Sequence, residues 1–447
     1  MDRTGRQLSE YVARTTYGIL PAQAVELAKR HLLDSLGCAI AGYDSEPATI
    51  ARRGAARVTS CTPCRVFGDG HASSPESAAF ANTVALRYLD FNDTYISKSG
   101  LHPSDVVPAL IAVGEGCRAS GADLVAAIVA AYDILGAFAD ATDIRERGWD
   151  QGILIAIAVA AAAARLAGGG ESQIGHAASM AAVSDVPTRQ TRVGELAMWK
   201  GCATAAAARN GVFAAELALD GMTAPAAAFD GYHGLAEQVT GPLNLVLPEV
   251  PGAAIRSTCL KFHPSEYHSQ ASLDLIAGLR RRIDAAEIES IRIGTYWVVV
   301  DEISEPAKWT PTSRETADHS LPYLAATMLV HGDVWIDSYA PDRLRDPVVR
   351  ALMARISVEE REEFTAAYPG ELLTEYEFAL YSGLRIRELT KHPKGHPCNP
   401  MTEQDVARKF ARLSKPHLPE SRAGQIPSTV ATLEAVTVTE LVDALVA

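Results

Sequence analysis

Aromatic residues are scarce in this chain, at 6% of 447 positions, while alanine is abundant. That balance favours close-packed helices. No glycine-rich phosphate loop, nucleophile elbow or His-Glu-x-x-His motif occurs, which removes the commonest nucleotide, serine-hydrolase and zinc-protease readings. Cysteine is dispersed: seven residues, with one Cys-x-x-Cys at Cys61 and Cys64 and no second pair. A structural zinc site needs more ligands than that, and no compact triple-cysteine spacing points to an iron–sulfur cluster. An odd, scattered count fits a reducing cytosol. Basic charge is also short, 41 residues against 54 acidic, giving a net charge of −13. Nucleic acid is therefore an unsuitable partner, and an anionic substrate would need a locally basic pocket. The polar N-terminus shows no signal-peptide pattern. The apolar run from Gly152 to Ala164 is short for a membrane span and reads as a buried core helix.

What remains is a hydrophobic content of 48% in a chain long enough for two or three domains. Residues 1–255 read as helix after helix, with Pro21 opening one that Gly42 closes. Further helical patterns cover 105–119, 122–140, 152–167, 173–184 and 198–219, several of them apolar nearly all round. After Pro251 the texture changes. Ile288 to Val300 is rich in β-branched and aromatic residues, and 355–361 and 374–388 read as further strands, the last turning at Ser382-Gly383. Helical patterns at 266–282, 320–330 and 342–353 separate them. The turn-rich stretch Lys391–Pro400 precedes a return to helix. The expected architecture is mainly α: a discontinuous helical domain (1–255 and 400–447) with a smaller α+β domain (256–399) inserted. No internal repeat or low-complexity tract is visible.

Four segments put reactive side chains into apolar surroundings. Leu89-Asp-Phe-Asn-Asp-Thr-Tyr95 is followed by Leu101-His-Pro-Ser-Asp105. The helix before it opens at Ser74-Pro75-Glu76 and, read through to Thr94, places Asp90, Asp93 and Thr94 on one face. Carboxylates there oppose the helix dipole, which suggests a site, although Asp-Asn-Asp-Thr is also ordinary turn chemistry. Arg189 to Gly201 leads into an alanine-rich helix with Lys200 in its first turn, where anions are favoured, or simply as a solvated lysine. Lys261-Phe-His-Pro-Ser-Glu-Tyr-His-Ser-Gln270 is dense in titratable groups: Lys261 can neutralise a carboxylate and His268 can shuttle a proton. In Arg314 to Tyr323, Asp318 or Ser320 can serve as a helix N-cap. Asp90 and Asp93 could hold Mg²⁺ for a diphosphate, but the denser aspartate motif and second metal motif of all-helical isoprenoid synthases are not evident.

Taken together, the segments 89–95 with 102–105, 192–201, 261–270, 315–323 and Pro-Lys-Gly-His-Pro (393–397) resemble the MmgE/PrpD family, which includes 2-methylcitrate dehydratase. The resemblance covers most of the chain. It implies a large helical domain from both chain ends with an α+β lid, a homodimer, and a cleft site that works without an iron–sulfur cluster or other cofactor. By motif matching, active-site positions fall on Asp90, Thr94, His102, Lys200, Lys261 and His268. One departure stands out: some members carry a histidine near Arg147-Gly-Trp-Asp-Gln151, where this chain has Asp150 and Gln151. Members dehydrate 2-methylcitrate or citrate, decarboxylate cis-aconitate or epimerise iminodisuccinate. The His-Pro-Ser-Asp form and the 315–323 motif look more like the dehydratase branch. A catalytically silent dimeric scaffold is the alternative outside enzymes.

A dehydratase must remove a proton α to a carboxylate, assist hydroxide departure, and stabilise developing enolate charge with preorganised cations. On that scheme His102 and His268 form the proton-transfer pair. Lys200 and Lys261 hold substrate carboxylates, with Arg192 as a third and His319 as a further substrate contact. Asp90 orients a histidine or acts as base, and Thr94 hydrogen-bonds substrate. Asp93, Pro103 and Ser104 shape the turn, and Asp105 caps the following helix. No metal ligand is expected.

Overall fold

The alanine-rich segments fold as helices at Ala22–Gly42, Pro75–Arg87, Val107–Gly116, Gly121–Ala141, Gly152–Leu166, Glu171–Ser184 and Trp199–Leu219, and the chain is mainly α. This computed structural model describes residues 1–184, 187–194 and 196–446. Glu195 of the 192–201 motif therefore lies outside the described residues, as does Ala447 at the end of the last expected helix. Small side chains let the helices approach closely. A Cβ on Gly211 would lie 2.6 Å from the Ala156 carbonyl oxygen, so the Trp199–Leu219 helix can rest on Gly152–Leu166 only with glycine there. The Gly152–Leu166 helix is buried along almost its whole length. Gly121–Ala141 is long and apolar enough to cross a membrane, but 89% of its apolar window is buried inside the fold.

Two large hydrophobic cores result. One draws on residues 8–255 and takes in Phe410 and residues 426–445, so the C-terminal helices return to pack on the N-terminal ones. The other is built from residues 259–380. It is centred on a four-stranded sheet in which Ile356–Glu360 runs parallel to Ile288–Thr295. Ile288–Thr295 pairs antiparallel with Thr374–Leu380, and that strand with Arg385–Thr390. The strand pattern expected to continue to Val300 stops at Thr295. Residues Trp297–Ile303 form a helix instead, burying Val298, Val299 and Ile303 together; burial overrides their β-propensity.

The segments that matter most lie where the cores meet. Thr94 and Cys259 exchange both backbone hydrogen bonds, at 2.8 and 2.7 Å. On the returning helix Glu403–Ser414, Lys409 reaches across to Asp34 (2.7 Å) and donates to the carbonyls of Phe91 (2.8 Å) and Lys261 (3.0 Å). One buried ammonium thus ties the Ala22–Gly42 helix, the 89–95 segment and the 261–270 segment to the C-terminal part of the chain.

Candidate active site

The helix opened by Ser74-Pro75 ends at Arg87, short of the residues expected to share its last face. Arg87 provides the basic side chain that suits a helix C-terminus, so the opposition between the dipole and the carboxylates does not arise. Asp90 then adopts φ +50°, a left-handed conformation uncommon for a non-glycine residue. That reversal separates the two aspartates. Asp93 turns into the helical core, where it accepts from His31 Nδ1 (2.8 Å), the Tyr132 hydroxyl (2.7 Å), and the Ser104 backbone N–H (2.9 Å) and hydroxyl (2.6 Å). Its carboxylate is consumed in fixing the loop and shares no metal site with Asp90. Asp105 does not cap the next helix; it accepts from Asn92 at 2.9 Å and faces Arg87 at 3.6 Å.

Asp90 is the electrostatic centre. It pairs directly with Arg87, and Lys261 Nζ contacts both its carbonyl oxygen (2.7 Å) and its Oδ2 (3.2 Å). Lys200 Nζ lies 3.9 Å, His102 Nε2 3.9 Å and His319 Nε2 3.8 Å from its carboxylate. Those last three distances are too long for hydrogen bonds. Burial opposes ionisation of Asp90, but Arg87, Lys200 and Lys261 override it and hold the carboxyl well below its usual range.

His102 is oriented by its own backbone neighbours. Its Nδ1 lies 2.7 Å from the Asp93 carbonyl oxygen and 3.2 Å from Thr94 Oγ1, while its backbone N–H donates to Gln151 Oε1 at 3.0 Å. A carbonyl can only accept, so Nδ1 carries the proton. Burial, with Arg87 and Lys261 close by, pushes the imidazole pKa well below its ordinary value. At neutral pH the ring is uncharged and Nε2 presents a lone pair.

A cleft opens in front of these groups, lined by Arg87, Asp90, Thr94, His102, Glu266, His268 and His319. Arg145, Arg189 and Arg192 also line it, alongside the carboxylates of Asp150 and Glu302. Arg145 and Arg189 both pair with Glu302, at 3.0 and 2.8 Å. Arg192 pairs with Asp150 at 2.5 Å. The Asp150-Gln151 departure therefore has a structural role here, anchoring one arginine and holding the His102 backbone.

Of the residues singled out from sequence, Asp90, Thr94, His102, His268, His319 and Arg192 line this cleft. Lys200 faces an adjoining recess with Arg189, Arg192 and His319. Lys261 is the exception, being fully buried and lying behind Asp90; the carboxylate it neutralises is that of Asp90. His268 is also buried, with Nδ1 2.7 Å from the Tyr296 hydroxyl and a pKa lowered by burial to about 4. In the 315–323 motif the two capping candidates divide. Ser320 caps Leu321–His331, whereas Asp318 accepts from His319 Nδ1 at 2.5 Å and lies 3.8 Å from Lys200. That bond leaves His319 Nε2 towards Asp90.

Arg87 and Glu266 were missed as site residues. Arg87 reads as an ordinary last-turn basic residue, and only the dense titratable run around Glu266 hinted at it. For metal binding, His392, His396 and Cys398 bring ligand atoms within 4.8 Å of one another on the boundary loop. The two imidazoles are stacked, 4.4 Å apart at 18°, so their in-plane lone pairs run side by side rather than converging.

Comparison with known proteins matches residues 6–246 to the MmgE/PrpD N-terminal domain and residues 263–435 to the MmgE/PrpD C-terminal domain. The chain is 26% identical to a 2-methylcitrate dehydratase of Cupriavidus necator, over 87% of this chain and 84% of the relative. It is 27% identical to the 2-methylcitrate dehydratase of Escherichia coli K12, over 82% and 79%. It is 24% identical to human cis-aconitate decarboxylase, over 92% and 88%.

Proposed function

The chain belongs to the MmgE/PrpD family, and on that premise we propose that it is a hydro-lyase acting on a small tricarboxylic acid. The substrate is of the 2-methylcitrate or citrate type, and the product is the corresponding cis-aconitate. The observation that carries this reading is the neutral His102 Nε2 lone pair facing an arginine-lined cleft, 3.9 Å from a fixed carboxylate. A general base that is uncharged at neutral pH, set among cations that can compensate enolate charge, is what α-proton removal from a polycarboxylate requires. Similarity to the two 2-methylcitrate dehydratases supports the same choice.

In this reading His102 removes the proton, and Asp90 keeps Arg87 and Lys261 in place beneath it. Lys200 and Arg192 hold substrate carboxylates, Thr94 and His319 contact the substrate, and the 266–268 segment, which lines the same cleft, supplies the proton-donating side. The unit built on residues 256–399 closes over the cleft as a lid, and the chain works as a homodimer, which light scattering on the purified protein checks.

Incubation with 2-methylcitrate, citrate, cis-aconitate and iminodisuccinate, with products identified by mass spectrometry, tests the proposal. Alkene formation with loss of water from one of the first two is expected. CO₂ release from cis-aconitate would indicate a decarboxylase instead, isomer interconversion an epimerase, and no turnover of any of the four a silent scaffold. Lys200 provides a narrower check. Burial lowers its pKa, but Asp318 and Asp90 oppose that shift. Lys200→Ala is expected to reduce kcat/KM about tenfold to a hundredfold, mainly through KM, the size of one lost charge-assisted hydrogen bond. Unchanged steady-state kinetics would remove Lys200 from the substrate contacts.

A further inference from the structure

The cleft is lined by four carboxyl groups among the described residues, and three are held by cations. Asp90 pairs with Arg87 and Lys261, Asp150 with Arg192, and Glu302 with Arg145 and Arg189. Glu266 alone has no lysine or arginine within ion-pair distance; its nearest basic group is His268 Nε2, 4.0 Å from Oε1. The other oxygen, Oε2, accepts from the His268 backbone N–H at 2.6 Å. The backbone beneath is fixed as well. The Glu266 N–H donates to the Asp318 carbonyl at 2.8 Å, and the Tyr339 hydroxyl donates to that of Pro264 at 2.6 Å.

The position of Glu266 complements that of His102. His102 stands on a loop of the helical part, whereas Glu266 immediately precedes Tyr267, which is packed in the sheet-centred core. Both line the same cleft. From this arrangement we infer that Glu266 is the general acid of the dehydration, protonating the departing hydroxyl in the cleft that it shares with His102. The inference rests on the dehydration reading above and adds to it a catalytic residue outside the matched set.

The step balances. His102 Nε2 takes the α-proton, the C–H electron pair becomes the second bond of the alkene, and the C–O bond breaks with its electrons on oxygen. The Glu266 carboxyl proton goes to that oxygen and water leaves. The protein is left with an imidazolium and a carboxylate, and transfer of one proton between them restores the starting state. His268 then acts as a positioning residue, holding the carboxyl through its backbone N–H.

Burial pushes the Glu266 carboxyl up to about 7, against the lowering influence of His319 and Lys261 and with Glu302 and Asp90 adding to the rise. The acid is therefore largely protonated below neutrality. Wild-type kcat should fall as pH rises through about 7, where this proton is lost, and Glu266→Gln should lack that limb.

The deciding experiment compares the wild type, Glu266→Gln and His102→Ala. The substrates are whichever of 2-methylcitrate or citrate the wild type dehydrates and its analogue with fluorine in place of the departing hydroxyl. Fluoride needs far less help from an acid than hydroxide. Glu266→Gln should lose about 100-fold or more in kcat on the hydroxy acid and about tenfold or less on the fluoro analogue, whereas His102→Ala should fail on both. Loss of both reactions by the same factor in Glu266→Gln, or no loss on the hydroxy acid, would overturn the assignment. If the wild type eliminates water from neither acid, the dehydration reading fails and this inference with it; an active wild type with an undiminished Glu266→Gln removes only the acid.

Discussion

His102→Ala is expected to lower kcat by about 10²–10⁴-fold, the usual contribution of a positioned general base, while the melting temperature stays that of the wild type. The Nδ1–H bond to the Asp93 carbonyl fixes the tautomer, so Nε2 is available without a preceding proton loss. Alanine removes that lone pair but leaves Asp93 its contacts to His31, Tyr132 and Ser104, which hold the loop. The direction of the pKa shift adds a second signature. With the imidazole pKa well below its ordinary value, the base form persists into mildly acidic solution. The acid limb of kcat/KM should therefore fall below pH about 6.5, the unperturbed value for histidine. A variant with near-wild-type kcat, or an acid limb at or above neutrality, would count against His102 as the base.

The second large effect is on stability. Asp90→Asn leaves Lys261 buried without the carboxylate that compensates it and Arg87 with Asp105 alone, and breaking a buried ion pair from one side costs about 3–5 kcal/mol. The melting temperature should drop by many degrees, and activity should fall with it. The pH sign is worked out from the lowered folded-state pKa of Asp90. Its stabilising contribution is fully present above the unfolded carboxylate value of about 3.9 and is lost only as pH falls through the lower folded value. Asp90 should thus add no pH dependence to stability between about pH 5 and 9, while the Asn variant is destabilised throughout that window. A calorimetric scan at three pH values in that window would decide; equal melting temperatures for both proteins would contradict the central place given to Asp90.

Much of this arrangement was legible in the sequence, for identifiable reasons. Helices at 121–141, 152–166 and 199–219 follow from long alanine-rich apolar runs, where local propensity and burial agree. Asp90, Thr94, His102 and His268 could be singled out because their polar segments match motifs of the family, and His319 lies in another of those matching segments. Arg87 could not, since its role depends on the chain turning back through a left-handed Asp90. Nor could the division of labour between Asp90 and Asp93, which a continued helix would have placed on one face. Lys261 was recognisable as a partner for a carboxylate, but which carboxylate depends on a contact spanning 171 positions. Lys409, on the helix Glu403–Ser414, carried no local signal at all; only the return of the C-terminal helices brings it beneath the 89–95 and 261–270 segments. The Asp150 pairing with Arg192 likewise depends on a contact across 42 positions.

The central claim, that a neutral His102 in an arginine-lined cleft drives loss of water from a tricarboxylic acid, is tested most directly by one measurement. Purified protein is incubated with 2-methylcitrate and with citrate, and alkene formation is followed by proton NMR for the wild type and His102→Ala side by side. The account predicts a cis-aconitate product from at least one acid with the wild type, and its loss in the variant. Formation of the alkene at equal rates by both proteins, or no alkene from either acid with the wild type, would contradict it.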